Sequence, residues 1–430
     1  MGGGLLLVGV LAIAANLRAA ITVVGPVADD VAADLDLSAT QVSLLVSLPL
    51  LCFGAFALVA PRILARWGIE ATAVVALTAL GIGIVGRSLP LTGALWVGTV
   101  LLGAGVATLN VALPALVKRD FPHRVGRLTG AYSATQSAFA AISAVVAVPL
   151  AGTQPEGWRL AFGVWAGMTL VALGLMVPRW RAARTAPPAP GAPRPDDAVR
   201  PGASAPADAA PQAGAASLAG EPVGAGEQTA AAAAVRPATR SPWRSLLGWQ
   251  VACYMGLQST FYYSVVTWWP SVETGAGFTA GAAGAHQGLL QVTGILASLT
   301  AGRLIDRSRP RGQSGLVVVF SGLSAVAVVG ELLAPGWWPL WIVLLGAGTA
   351  AAFVTALSLF GLRTEHHAQA AALSGMAQAF GYGLAALGPL LLGTLHDATA
   401  GWTIPLLVLL AMKIPEITAG ALAGRRRTIA

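Results

Sequence analysis

The residue best placed to do chemistry is Arg18. It sits at the centre of Leu5 to Val27, a run otherwise almost purely apolar and long enough to cross a bilayer as a helix. A guanidinium near the bilayer centre costs about 2.5 to 3.5 kcal/mol on insertion scales and about 10 to 17 kcal/mol on an isolated helix in simulation. Such a side chain is expected to face a wet cavity or a partner. Two readings stand: Arg18 docks an anionic or strongly polar ligand, or it is a structural cation paired with helix carbonyls or another helix. Its rigid fork of donors suits a carboxylate, nitro or pseudohalide group. Apparatus for covalent chemistry is missing from the sequence. There is no Gly-x-x-x-x-Gly-Lys-Ser/Thr loop for a nucleotide, Glu365-His366-His367 lacks metal-ligand spacing, and no Ser, His and Asp group falls in one plausible site. No enzymatic activity, metal or cofactor is expected.

The elements that must position Arg18 are apolar helices. Hydrophobic residues make up 56% of the chain and charged ones 10%, which removes it from the soluble globular class and puts it among polytopic membrane proteins. Hydropathy gives twelve spans, at about 5–28, 40–61, 70–87, 93–117, 127–150, 159–178, 246–270, 281–302, 314–333, 337–361, 372–395 and 402–424. Met1-Gly2-Gly3-Gly4 supplies no basic region ahead of the first span, so that span reads as a retained helix and not as a signal peptide. Cys52 and Cys253 both fall within spans, and no disulfide framework is implied.

The net charge of +8 is a matter of topology. With the amino terminus inside, 22 of the 26 Lys and Arg residues fall on the cytoplasmic side, Arg87 and Arg159 fall outside, and Arg18 and Lys413 lie within spans. That bias obeys the positive-inside rule and predicts that both termini are cytoplasmic; a bacterial inner membrane is the expected location. The lipid bilayer is therefore the expected partner of this charge, and nucleic acid is not.

Residues 179–242 break the pattern. This stretch, rich in Pro, Ala and Gly, includes Pro187-Pro188-Ala189-Pro190 and Ala230 to Ala234, and reads as a disordered cytoplasmic linker. It divides the chain into an N-terminal six-helix bundle, 1–178, and a C-terminal one, 243–430. The halves repeat at a spacing of roughly 240 residues. Leu102-Gly103-Ala104-Gly105 returns as Leu345-Gly346-Ala347-Gly348, Leu128-Thr129-Gly130 as Leu373-Ser374-Gly375, and Gly157-Trp158 as Gly401-Trp402. A loop Gly302-Arg303-Leu304-Ile305-Asp306-Arg307 follows span eight; its degraded copy, Pro61-Arg62-Ile63-Leu64-Ala65-Arg66-Trp67-Gly68, has Ala65 where an acid should stand.

Duplicated halves and this loop resemble the major facilitator superfamily, whose two parallel six-helix bundles rock about a midplane site. Within it the chain is similar to the cyanate porter and 2-nitroimidazole transporter family. The matching stretches are Asn16-Leu17-Arg18 with Thr22 and Gly25-Pro26, Asn110 to Pro122, Tyr262 with Ser264, Trp268 and Pro270, and Leu373 to Gln378 running on to Leu395-His396-Asp397. The resemblance implies an all-α membrane protein of twelve transmembrane helices and a monomeric carrier. Its cargo would be a small anion or small polar molecule, a cyanate-like solute, moved by alternating access. Efflux of nitroimidazole-like drugs is the alternative within transport, and a non-transporting sensor signalling through the linker the alternative of another class.

The same resemblance implies that spans one, four, seven and ten line the cavity, with two, five, eight and eleven beside them. Their polar residues give the candidate substrate-binding set Arg18, Asn16, Thr22, Asn110, Gln258, Tyr262, Gln378 and Tyr382. Asn110 stands four residues before Pro114, whose missing N–H frees the Asn110 carbonyl, so local unwinding and a cavity ligand are both open. Ser374, Gln378 and Tyr382 recur on one helix face, as do Tyr132 and Gln136; cavity lining and interhelical hydrogen bonding both fit. Asp306, Arg307 and Arg66 are candidates for gating, pinning the inner ends of the bundles through ion pairs and helix dipoles. Trp268 and Trp269 suit an interfacial belt or gate packing. A coupled proton is a further candidate partner, yet the cores of spans one, four, seven and ten hold no acid. Glu416 reads as an intrahelical partner of Lys413, and His286 as a helix-end histidine able to titrate near neutrality.

Overall fold

The computed structural model describes residues 3–91, 93–154, 156–185 and 241–429. Among these residues there are thirteen α-helices and no strand. They are α1 (Gly3–Thr22), a short α2 (Ala28–Asp34), α3 (Ala39–Arg87), α4 (Ala94–Asp120), α5 (Val125–Ala151), α6 (Trp158–Gly163) with α7 (Ala166–Thr185), α8 (Leu246–Gly275), α9 (Ala280–Arg307), α10 (Ser314–Leu333), α11 (Trp338–Leu362), α12 (His367–Thr399) and α13 (Thr403–Ala423). Most of the expected linker lies outside the described residues. Its first part does not, because α7 continues to Thr185.

Twelve crossings follow from these helices. Ten are long and apolar enough to span a bilayer, and one of the ten, Leu44–Arg87, is 44 residues long. Gly68 breaks it with φ 79°, a left-handed value that glycine takes without strain, so α3 supplies the second and third spans. The remaining span, α8, fails on apolarity because it carries Gln250, Gln258, Ser259, Thr260, Tyr262 and Tyr263. Those same polar residues mark it as a helix that faces something other than lipid.

The glycines of the sequence repeat meet the same neighbours in both halves. A β-carbon on Gly103 would strike Cys52 in the first segment of α3, and one on Gly105 would strike the Ala76 carbonyl in the second. In the other half, Gly346 lies on Leu290 and Thr293 of α9, and Gly348 on Phe320 and Ser324 of α10. Each Gly-Ala-Gly therefore seats a central helix, α4 or α11, against the two helices beside it, as small residues do where backbones approach closely in membranes. Consistent with central placement, 78% of the apolar window of Ala94–Asp120 and 72% of that of Pro335–Leu362 are buried, against 33% for Trp158–Thr185 and for Thr403–Ala423. Peripheral helices instead present Leu170, Leu333 and Ile414 outward, an apolar girdle suited to lipid.

The two halves meet along α5 with α9 and α12 with α3. Gly130 lies against Ser298, Gly126 against Gly302, and Gly375 against Ala57 and Pro61. All these contacts lie toward the end of the bundle that carries the turns after α4, α9 and α11 and the carboxyl-terminal arginines, here termed the basic face. At that face Asp120 pairs with Arg119 and Arg179 at 2.7 Å each, and Glu70 with Arg119 at 2.5 Å, closing one bundle's basic end on itself. At the opposite face both basic residues are tied internally. Arg159 pairs with Asp34 at 2.9 Å, and Arg87 is 1% exposed with its guanidinium donating to the Ala20 carbonyl at 2.6 Å.

Because Gly130 has no room for a side chain, Gly130→Leu should prop the halves apart at the basic face. We expect a lower thermal midpoint, in line with an overpacking cost of about 1 to 3 kcal/mol. Faster alkylation of a Ser133→Cys probe by a reagent applied from the basic side is expected in the same variant. Unchanged labelling would show that this contact does not hold the closure.

Candidate functional site

Arg18 projects from the C-terminal part of α1 into a cavity between the halves. The cavity is also lined by Ser133 and Gln136 of α5, Gln258 and Tyr262 of α8, Gln291 of α9 and Thr349 of α11. The guanidinium carbon lies 5.7 Å from the centre of the Tyr262 ring. Tyr262, Tyr263 and Tyr382 are the titratable groups that face it, and among the described residues no carboxylate does. Tyr263 stands edge-on to Tyr262 at 5.4 Å and to Tyr382 at 6.4 Å, and Tyr382 meets Phe53 at 5.3 Å. This aromatic chain runs from α8 through α12 to α3 and so crosses from one half to the other.

Several polar atoms around the cavity lack a protein partner. The Ser133 hydroxyl and Gln258 Oε1 are buried without a hydrogen bond, and the nearby Tyr132 hydroxyl is too. Buried polar atoms are normally satisfied, so a cavity with spare donors and acceptors beside a cation that has no counter-charge suits a polar occupant. The cavity is about 30 Å³, room for one or two water molecules. A larger solute therefore requires the halves to part.

The sequence-derived set divides on this geometry. Arg18, Gln258 and Tyr262 line the cavity, with Tyr382 close behind them. Gln258 Nε2 donates to the Thr349 carbonyl at 3.2 Å, which fixes the side chain and leaves its oxygen free. Asn110 and Gln378 meet each other: Gln378 Nε2 donates to the Asn110 carbonyl at 3.1 Å and to Ser374 Oγ at 2.7 Å. The carbonyl freed by Pro114 is thus taken by the opposite half. Asn16 turns away from the cavity. Its Nδ2 donates to the Ala12 carbonyl at 2.8 Å and the Met168 carbonyl at 3.3 Å, and its Oδ1 accepts from Thr169 at 2.8 Å, which ties α1 to α7. Thr22 is likewise engaged, 2.6 Å from Ser143 Oγ and donating to the Ala140 carbonyl at 3.2 Å, both on α5. Neither lines the cavity.

The gating candidates divide too. Asp306 at the end of α9 accepts from the backbone N–H groups of Gly126 and Arg127, at 2.9 Å each. Its carboxylate caps the N-terminus of α5 from the opposite half, where free amides and the helix dipole favour an anion. Arg307 and Arg66 are exposed, and among the described residues neither makes an ion pair. Arg309, two residues on, is the arginine that crosses, donating to the Pro122 carbonyl at 2.5 Å. Glu70, five residues after Ala65, pairs with Arg119 and Arg179 of its own half. Trp268 and Trp269 do not form a lipid-facing belt: Trp268 donates to the Pro389 carbonyl at 2.8 Å, and Trp269 is 1% exposed inside the bundle. Lys413 pairs with Glu416 at 2.8 Å and lies over the Phe261 ring at 3.4 Å.

Residues 10–386 match the Major Facilitator Superfamily, to which this chain belongs. It is 35% identical to a 2-nitroimidazole transporter of Escherichia coli (strain K12), over 99% of this chain and 96% of that one. To the cyanate transport protein CynX of the same organism it is 24% identical over 90% and 88%. The crystal structure of the superfamily transporter FucP in the outward conformation shares the fold, with a TM-score of 0.70 at 11% identity and coverage of 97% and 98%. The chain is a multi-pass membrane transporter for a small molecule and not an enzyme.

Asp306→Ala removes two inter-bundle hydrogen bonds and a helix cap worth about 1 kcal/mol, roughly a fivefold shift in a two-state population. Labelling of a basic-side cysteine probe should rise accordingly, whereas Arg307→Ala should leave it at the wild-type rate. Asn16→Ala should lower the thermal midpoint without weakening ligand binding; a matching loss of affinity would return Asn16 to the cavity.

Proposed function

We propose that the protein carries a small anion, or a small planar molecule with exposed oxygen atoms, by alternating access between two bundles, with Arg18 as the docking cation. The observation that carries this reading is a guanidinium facing the cavity among three tyrosines and no carboxylate. A fixed fork of donors pairs two oxygens at once, as a small carboxylate or a nitro group offers. The tyrosine rings add a flat apolar wall, and the spare oxygen of Gln258 accepts a hydrogen bond from a solute N–H. The relationship to a 2-nitroimidazole transporter supports the nitro version of this solute, and the relationship to CynX supports a cyanate-like anion.

The moving units we infer are the halves 1–178 and 243–430, joined by the segment between them and working as a monomer. The basic face is taken as cytoplasmic in an inner membrane, on the strength of the positive-inside bias. Closure there is held by Asp306 on α5, by Arg309 on Pro122 and by the Gly130 and Gly375 contacts. Likeness to FucP in its outward conformation supports this assignment. A proton is the coupled ion we propose; its site would lie outside α1 and α11, which hold no acid.

Binding tests the reading without knowledge of the direction of transport. A thermal-shift screen of purified protein against cyanate, nitrate, small carboxylates and 2-nitroimidazole should find a stabilising ligand. Arg18→Ala should weaken that ligand about 10- to 100-fold, the equivalent of a charge-assisted pair at roughly 1.5 to 3 kcal/mol, with the protein still folded in the membrane. Arg18→Lys should recover part of the loss, since the charge returns without the fork. Wild-type affinity and counterflow in the Ala variant would remove Arg18 from the site.

A further inference from the structure

Two acids stand apart from everything used so far. Glu273 of α8 and Glu331 of α10 lie at the end of the C-terminal bundle opposite the basic face, and are 0% and 4% exposed. Glu273 Oε2 lies 2.9 Å from His286 Nδ1 on α9. The His286 ring is held by Trp338, stacked at 3.5 Å, and by Phe278, edge-on at 5.5 Å. The other Glu273 oxygen has no hydrogen-bond partner, and neither oxygen of Glu331 has one. Glu331 faces Glu273. The Trp269 indole also faces Glu273 without closing a well-formed hydrogen bond. Among the described residues no lysine or arginine pairs with either acid.

Charge counting then decides what this cluster can hold. With both carboxyls ionised, one imidazolium at most opposes two negative charges in a buried setting. A buried carboxylate without a hydrogen bond or counter-ion costs several kcal/mol. Something positive must join, and no group of three or more acidic, His or Cys side chains among the described residues has the geometry to hold a metal ion. A proton meets the need, and the fold provides its route. A cleft of about 350 Å³ reaches Glu331 between Gly275, Pro335 and Trp402. His396, stacked on Trp402 at 4.1 Å with its Nδ1 unpartnered, lines the same cleft.

We propose that Glu331, Glu273 and His286 form a proton-binding site at the outer end of the C-terminal bundle, loaded through the cleft beside Glu331. Loading changes the tie between α8 and α9, the helices that bring Gln258, Tyr262 and Gln291 to the central cavity. The site thereby sets the pH dependence of transport, a consequence that rests on the carrier reading; the binding of the proton does not.

Infrared difference spectroscopy of the full-length protein in lipid, titrated over pH, tests the site without any solute. The wild type should show a protonated-carboxyl C=O band that fades as pH rises, and Glu331→Gln or Glu273→Gln should remove it. No such band in the wild type, or the same band in both variants, would overturn the proposal. In proteoliposomes the pH profile of counterflow should flatten in Glu331→Gln, and a wild-type profile in both variants would equally overturn it. A protein that moved no solute would fail the carrier reading alone, leaving the infrared titration intact.

Discussion

A permanent cation at mid-depth, with no acid beside it, is the constraint to which the rest of this structure answers. Among the described residues, the other buried bases are settled within the protein. Arg87 donates to the Ala20 carbonyl and lies 4.2 Å from the Phe162 ring centre; Lys413 has Glu416 and the Phe261 ring; Arg363 donates to the Ala423 and Gly424 carbonyls. Arg18 has tyrosines. Tyrosine offers a quadrupole and a hydroxyl but no compensating charge, so the guanidinium keeps its appetite for an anion while tolerating its absence. A carrier needs that balance, because a cation locked to a carboxylate would compete with the cargo in every cycle.

Duplication explains how such a site is suspended between two halves. Each half seats its central helix by a Gly-Ala-Gly against two neighbours, and each offers a second glycine, Gly130 or Gly375, to the opposite half. The first pair makes rigid bundles. The second pair lies on the seam between the halves, bridged toward the basic face by the Asp306 cap on α5 and Arg309 on Pro122. Toward the basic face the seam includes close backbone contacts at glycines and a few hydrogen bonds, and deeper in the bundle the Phe53–Tyr382 contact crosses it.

Much of this was legible in the chain because the bilayer makes composition informative. An arginine in an apolar run announces itself, and so does the carbonyl freed by Pro114, which receives Gln378 from across the seam. Lys413 and Glu416, three residues apart on one helix, were legible as a pair for the same reason. Helix phase limited the rest. Asn16 is two residues from Arg18, about 200° around the helix, so the two cannot share a face. Thr22 does share the Arg18 face, but nothing in sequence shows that α5 claims its hydroxyl. At the basic face Arg309 lies past the end of α9, where no helical period orients it, and it reaches the Pro122 carbonyl while Arg307 is exposed. Glu331 carries the same signal as Arg18, an ionisable group in an apolar run, and that signal marks the second buried site.

The central claim is that Arg18 recognises the oxygens of the solute through its charge. Calorimetric titration of the wild-type protein with a matched pair, a small aromatic carboxylate that binds and its neutral primary amide of the same shape, tests it most directly. The account predicts that the carboxylate binds at least about tenfold more tightly, since a hydrogen bond to a charged group is worth roughly 1.5 to 3 kcal/mol. Equal affinities for the two would contradict it.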